Sequence, residues 1–180
     1  MTEKPETKER IKIPDNVEAK LENNKLTLKG EKGEISRVFS HPKINMKIAD
    51  KTIEIQATNM RRKEKAIIGT WAAHTKNMVA GVTKGFEYKM KTVFSHFPIK
   101  TSVEGNDFVI QNFLGERSPR KTKILDGVKI TLKGDEITLN GVDREKVGQT
   151  VANIERASKV KNRDVRVFQD GIYRVSKGRR

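Results

Sequence analysis

The chain contains no cysteine, which excludes disulfides and thiolate metal sites and is compatible with a cytoplasmic compartment. No apolar run nears the ~18 residues of a membrane span. The opening residues are polar and mixed in charge, without the apolar core of a signal peptide, and read as a flexible tail. Histidine is limited to His41, His74 and His96, whose spacing matches no metal site. There is no P-loop, no Gly-rich nucleotide fingerprint, no nucleophile elbow and no Asp-supported triad around Ser40-His41 or Ser95-His96. The expectation is a protein that is not an enzyme and holds no metal or cofactor. Leucine is scarce beside isoleucine and valine, and Cβ branching at that density favours pleated, half-buried surfaces. Acidic residues are outnumbered too. Lys+Arg total 38 against 23 Asp+Glu, a formal charge of +15, which points to a polyanionic partner and says little about fold.

The positive charge is concentrated. Residues 156–180 carry nine Lys/Arg and two acids, among them Lys159, Lys161, Arg163, Arg166, Arg174, Lys177, Arg179 and Arg180. A second run, Arg117-Ser118-Pro119-Arg120-Lys121-Thr122-Lys123, has four basic residues, no acid and a proline, and reads as a loop or extension that is either an RNA-backbone clamp or a solvated turn. Arg117, Arg120, Lys121 and Lys123 join the eight tail residues as candidate RNA contacts, because cations displace the counterions condensed on phosphates. Alternation over residues 165–173 predicts a strand with Arg166, Phe168 and Asp170 on one face. Phe168 there either stacks on a base or packs in the core, while Asp170 orients an arginine or caps a turn. Arg61-Arg62-Lys63-Glu64-Lys65 opens a helix with charge opposed to its macrodipole, which suits either an external anion or a solvated first turn.

The chain is also written twice. Residues 21–28 align with 103–110 at a shift of 82 positions (104 minus 22), each with an Asn/Gly/Asp turn followed by alternation. Lys51-Thr52-Ile53-Glu54-Ile55 aligns with Asp135-Glu136-Ile137-Thr138-Leu139. A helical stripe of Ile67, Trp71, His74 and Met78 aligns with Val147, Val151, Ile154 and Ser158 at a shift of about 80. Trp71 and His74 therefore read as core and core edge. Helices are expected over residues 61–79, stopping at Gly81, and 143–158, with Asp143 as N-cap. Each is followed by a strand, over residues 86–94 and 165–173. Val38-Phe39-Ser40-His41 and Val93-Phe94-Ser95-His96 also echo each other, but out of register, and read as coincidence. Gly30-Glu31-Lys32-Gly33 matches a nucleotide-clamping GxxG pattern but lies between strands where that motif joins helices. The expected fold class is α+β. It comprises two tandem duplicated units, each an antiparallel-rich β-sheet packed against one α-helix. The divisions are a flexible tail at 1–9, units at 10–85 and 86–175, and a basic tail at 176–180.

Three blocks carry a family resemblance. One runs from Gly69-Thr70 through His74-Thr75-Lys76-Asn77-Met78-Val79-Ala80-Gly81-Val82-Thr83-Lys84-Gly85-Phe86 and on to Ser95-His96-Phe97-Pro98. The others are Gln111-Asn112-Phe113-Leu114-Gly115-Glu116 and Arg166-Val167-Phe168-Gln169-Asp170-Gly171-Ile172-Tyr173. The chain resembles the large-ribosomal-subunit protein family called L six (L nine in eukaryotes), in its archaeal and eukaryotic branch, over residues 11–177. Arg156 and Arg174 depart from that branch and add positive charge. The resemblance implies a cytoplasmic, structural component of the large ribosomal subunit. It would bind large-subunit (23S-type) rRNA mainly through the second unit, near the sarcin–ricin loop and the stalk base. Neighbouring ribosomal proteins and transient translation factors would be its other partners. The alternative is a nucleic-acid-binding module outside the ribosome.

Overall fold

The computed structural model describes residues 8–57 and 61–179, the side chains at 8 and 177–179 excepted. The chain is α+β and divides into two compact units, Met1–Gly85 and Phe86–Arg180.

The first unit contains strands β1 (Lys8–Lys12), β2 (Glu18–Glu22), β3 (Lys25–Gly30), β4 (Gly33–Val38), β5 (Ile44–Ala49) and β6 (Thr52–Ala57), then helix α1 (Arg62–Thr83). They form two antiparallel sheets, ordered β1-β6-β5 and β2-β3-β4. The β2–β3 and β5–β6 hairpins turn on Asn23-Asn24 and Asp50-Lys51, all four at positive φ. That is the two-residue geometry that matches strand twist. The second unit opens on β7 (Phe86–Val93), continues through β8 (Lys100–Glu104), β9 (Asp107–Gln111), a 3-10 turn (Phe113–Gly115), β10 (Arg120–Lys123), β11 (Val128–Lys133) and β12 (Glu136–Gly141), then helix α2 (Arg144–Ala157) and β13 (Gly171–Arg179). Its sheets are β11-β12-β7-β13 and β10-β9-β8.

The duplication is thus topological as well as textual. β7-β12-β11 repeats β1-β6-β5, and β8-β9-β10 repeats β2-β3-β4. The aligned apolar pairs are the cores: Leu26, Leu28, Ile53 and Ile55 in one unit, Phe108, Ile110, Ile137 and Leu139 in the other, all with no exposed surface. Burying each such side chain contributes roughly 1.5–3 kcal/mol. Trp71 is buried and meets the Phe39 ring at 5.2 Å, as expected of a core residue. His74 sits at the core edge, its Nδ1 3.1 Å from Arg37 Nη1. Asp143 caps α2 through a hydrogen bond from the Glu145 N–H.

Several expectations are corrected. The helix repeat runs at 79 positions (147 minus 68): Ile68, Ala72 and Thr75 are buried where Val147, Val151 and Ile154 are, while Ile67 and His74 lie at the margin. α1 does not stop at Gly81, which is buried inside it. It stops at Gly85, whose φ of 76° and N–H bonds to the Ala80 and Gly81 carbonyls close the last turn. The Gly30–Gly33 hairpin docks on that helix end. Lys32 N–H donates to the Val82 carbonyl at 3.0 Å, and a Cβ on Gly30 would sit 2.7 Å from the same oxygen, so the GxxG spacing serves packing. Residues 8 and 9 belong to β1, not to a tail; residues 1–7 lie outside the described residues. β7 answers to β1, so the last strand has no counterpart in the first unit among the described residues.

That last strand was expected at 165–173 and runs instead over Gly171–Arg179. The reason is Asp164. Its side chain accepts the Arg166 N–H at 2.9 Å and its carbonyl accepts those of Val167 and Phe168. These bonds wind the segment into a turn where Val165 and Val167 would otherwise alternate. Residues 176–179, expected as a tail, are strand.

Candidate nucleic-acid interface

α2 ends at Ala157, and its last carbonyls need partners that the helix itself cannot supply. Ser158 and Lys159 satisfy those of Ile154, Glu155 and Arg156, and Arg120 satisfies that of Ala157. Its Nη1 donates to the carbonyls of Ala157 and Lys159, both at 2.9 Å, while Nε and Nη2 fork onto the Glu116 carboxylate. The guanidinium lies 4.1 Å from the centroid of the Phe113 ring. A cation at a helix C-terminus also complements the macrodipole. Arg120, expected to contact RNA, is instead engaged inside the unit: four of its five N–H donors are used there, and its side chain is only 19% exposed.

The same arginine joins the two basic runs. It ties the β9–β10 connection, which carries Arg117, to the segment after α2, which carries Lys159, Lys161 and Arg163. The Arg120 hydrogen bond holds the Glu116 carboxyl below the usual carboxylate range, with further help from the charges of Arg120, Arg163 and Lys161. The exposed cations Arg117, Lys159, Lys161 and Arg163 thus share one end of the second unit. In the first unit the corresponding connection is the tight Glu31-Lys32 turn between β3 and β4. The second unit expands it with the 3-10 turn and the basic loop.

The remaining candidates are spread more widely. Lys121 and Lys123 are exposed on β10, and Lys121 Nζ lies 3.5 Å from Glu104. Arg166 is 91% exposed and loosely paired with Asp164 at 3.7 Å. Arg174 is exposed on β13, next to Val175, where the pairing with β7 slips by one residue. Lys177 and Arg179 lie on the same strand, with side chains outside the described set, and Arg180 lies outside the described residues.

Phe168 is half-buried and already has ring partners. Its ring is stacked by His96 at 4.8 Å, and the Arg163 guanidinium lies 4.8 Å from it. Asp170 caps a turn, one of the two roles expected of it. It is buried, accepts the Ser95 N–H at 2.7 Å and lies 3.1 Å from His96 Nδ1. No acid lies near Ser95-His96 in the sequence, but the fold brings one from 74 residues away. That carboxylate is shared with a backbone amide and fixes a turn. Glu155 and Ser158, also missed, clasp β13 to α2 by accepting the N–H groups of Arg174 and Ile172 at 3.0 and 3.1 Å. No local pattern announces such contacts. At the opening of α1 an internal anion sits among the basic residues and serves the helix N-terminus. Glu64 is buried and accepts the Arg61 N–H at 3.1 Å. Its own N–H, that of Arg61 and the charge of Lys43 hold its carboxyl below the usual range. Among the described residues no group of three metal-ligating side chains assembles.

Fold and surface together define a duplicated α+β protein whose second unit gathers exposed cations around the Arg120 bridge. The model of the family "Ribosomal protein L6" matches residues 13–85 and 97–171, one segment in each unit. Similar chains include the large ribosomal subunit protein uL6 of Picrophilus torridus, 50% identical over 163 residues, 91% of each chain. That of Methanobrevibacter smithii is 49% identical over 170 residues, 94% of this chain and 96% of its own. That of Methanosarcina mazei is 46% identical over 167 residues, 93% and 95% respectively. The chain belongs to the Ribosomal protein L6 family, which is a family of structural ribosomal proteins and not of enzymes.

Proposed function

We propose that this chain is a structural constituent of the large ribosomal subunit and binds large-subunit rRNA through the cationic end of its second unit, near the sarcin–ricin loop and the stalk base. Neighbouring ribosomal proteins and transient translation factors complete its surroundings. The observation that supports this most is the union of two basic runs, some forty residues apart in sequence, around the Arg120 bridge. Arg117, Lys159, Lys161 and Arg163 reach phosphates from a rigid base, each contact releasing condensed counterions. Lys121, Lys123, Arg166, Arg174, Lys177, Arg179 and Arg180 extend the same chemistry along β10, the 159–170 segment and the last strand. Binding to folded RNA rests on shape and on phosphate and 2′-hydroxyl contacts.

The test is a salt titration of binding to a large-subunit RNA fragment containing the sarcin–ricin domain, beside a scrambled RNA of equal length. Preference for the fragment that persists near physiological salt is the expected result. Equal binding that collapses together with rising salt refutes the ribosomal reading and favours a nucleic-acid module outside the ribosome.

A further inference from the structure

Below the cationic end lies a hollow of about 370 Å³ whose walls include Glu155, Ser158, Lys159, Val165, Phe168 and Tyr173. It is apolar where its surroundings are charged. Val165 is 62% and Tyr173 48% exposed, so both present apolar surface at its mouth.

Tyr173 is also held still. Its hydroxyl donates to the Gln169 carbonyl at 3.0 Å, and its ring lies over Gly171, where an added Cβ would approach it to 3.0–3.1 Å. The strand that bears it is tied to α2 on either side, through the Ile172 and Arg174 N–H groups. An exposed ring fixed in this way makes a contact without first losing rotamer freedom. Phe168, the other aromatic of the hollow, already has His96 and Arg163 against it. Tyr173, 48% exposed, is therefore the more open of the two aromatic surfaces. Lys159 lines the hollow and Arg163 stands at Phe168, so cations for the flanking phosphates are already present. An aromatic platform within a cationic rim is the arrangement that takes unstacked bases of single-stranded or looped RNA.

We propose that the hollow receives one unstacked base of the bound RNA, stacked on Tyr173. This rests on the rRNA-binding reading above. The test uses the full chain and the sarcin–ricin fragment with Tyr173→Leu and Tyr173→Phe, titrated across salt. Tyr173→Leu is expected to weaken binding about tenfold, the order of loss for one stacked base. The slope of log K against log salt stays as in the wild type, because no charge is removed. Tyr173→Phe keeps the ring and stays within a few-fold of the wild type. Tyr173→Leu binding as tightly as wild type overturns the base site while leaving the rRNA-binding reading intact, as does an equal loss in both variants. A wild-type chain that does not bind the fragment overturns both.

Discussion

Replacing Arg120 by alanine separates a cation that holds the protein together from cations that reach outward. The substitution removes two bonds to the carbonyls of Ala157 and Lys159 and a forked pair with Glu116, and lifts the guanidinium off Phe113. The carbonyl bonds contribute about 1 kcal/mol each. The Glu116 pair, whose carboxylate is 42% exposed, is screened and adds about 0.5–1 kcal/mol. The ring contact adds about 0.5–1 kcal/mol. Allowing for overlap, the loss is about 2–4 kcal/mol, or roughly 5–15 °C in Tm for a chain of this size. Arg120→Lys fails to restore it, because an ammonium cannot fork a carboxylate while reaching two carbonyls. Thermal unfolding followed by circular dichroism gives the first number, and an RNA salt titration at a temperature where the variant is folded gives the second. The salt slope is expected to stay unchanged. A slope flattened by about 0.7–0.9 with an unaltered Tm would refute the structural assignment and return Arg120 to the RNA surface.

Glu116→Gln is expected to blunt the acid limb of the stability curve. The wild-type carboxyl is held low in the folded state, so its contribution is present above the unfolded value of about 4.3 and is lost as pH falls through the lower folded value. Unfolding between neutral pH and pH 3 measures the difference between the two proteins. Asp170→Ala leaves the Ser95 N–H and the His96 ring without their acceptor and should cost about 1–3 kcal/mol in urea unfolding, while the RNA salt slope holds. Gly141→Ala would bring a Cβ to 2.6 Å from Val147 Cγ2, so a loss of about 1–3 kcal/mol is expected, visible as a lower Tm. Lys161→Ala, in contrast, should leave Tm nearly unchanged, Arg163→Ala should cost only the Phe168 ring contact, about 0.5–1 kcal/mol, and both should flatten the salt slope by about 0.7–0.9 for each phosphate contact removed.

The hairpins were legible because their signals are local. A two-residue turn between alternating runs fixes a register, and Glu22 opposite Lys25 and Glu104 opposite Asp107 lie where the spacing put them. The α2 stripe and its Asp143 cap were legible for the same reason. In α1 the stripe slipped by one residue, because Ile67 and Ile68 are equally apolar and periodicity alone does not choose between them. The final strand was misread because valines at 165 and 167 alternate as a strand does, while one aspartate side chain two residues away from an amide overrides that pattern. Of the candidate contacts, Arg120 looks like its neighbours in the sequence. Only the helix end it meets distinguishes it.

By itself the sequence determined that the chain is a duplicated α+β protein of this family with a strongly positive surface. Composition, period and repeat are properties of residues near one another or of their sum. The tertiary structure alone decided which cations are free to act. Whether an arginine donates to solvent-borne phosphate or to a buried carbonyl depends on what lies within 3 Å of it. For Arg120 that is a helix terminus 37 residues further along the chain, while Lys161 and Arg163 remain exposed. The fold also turned Tyr173 outward and pinned its ring on Gly171, a disposition that follows from where β13 pairs and not from the residues beside it.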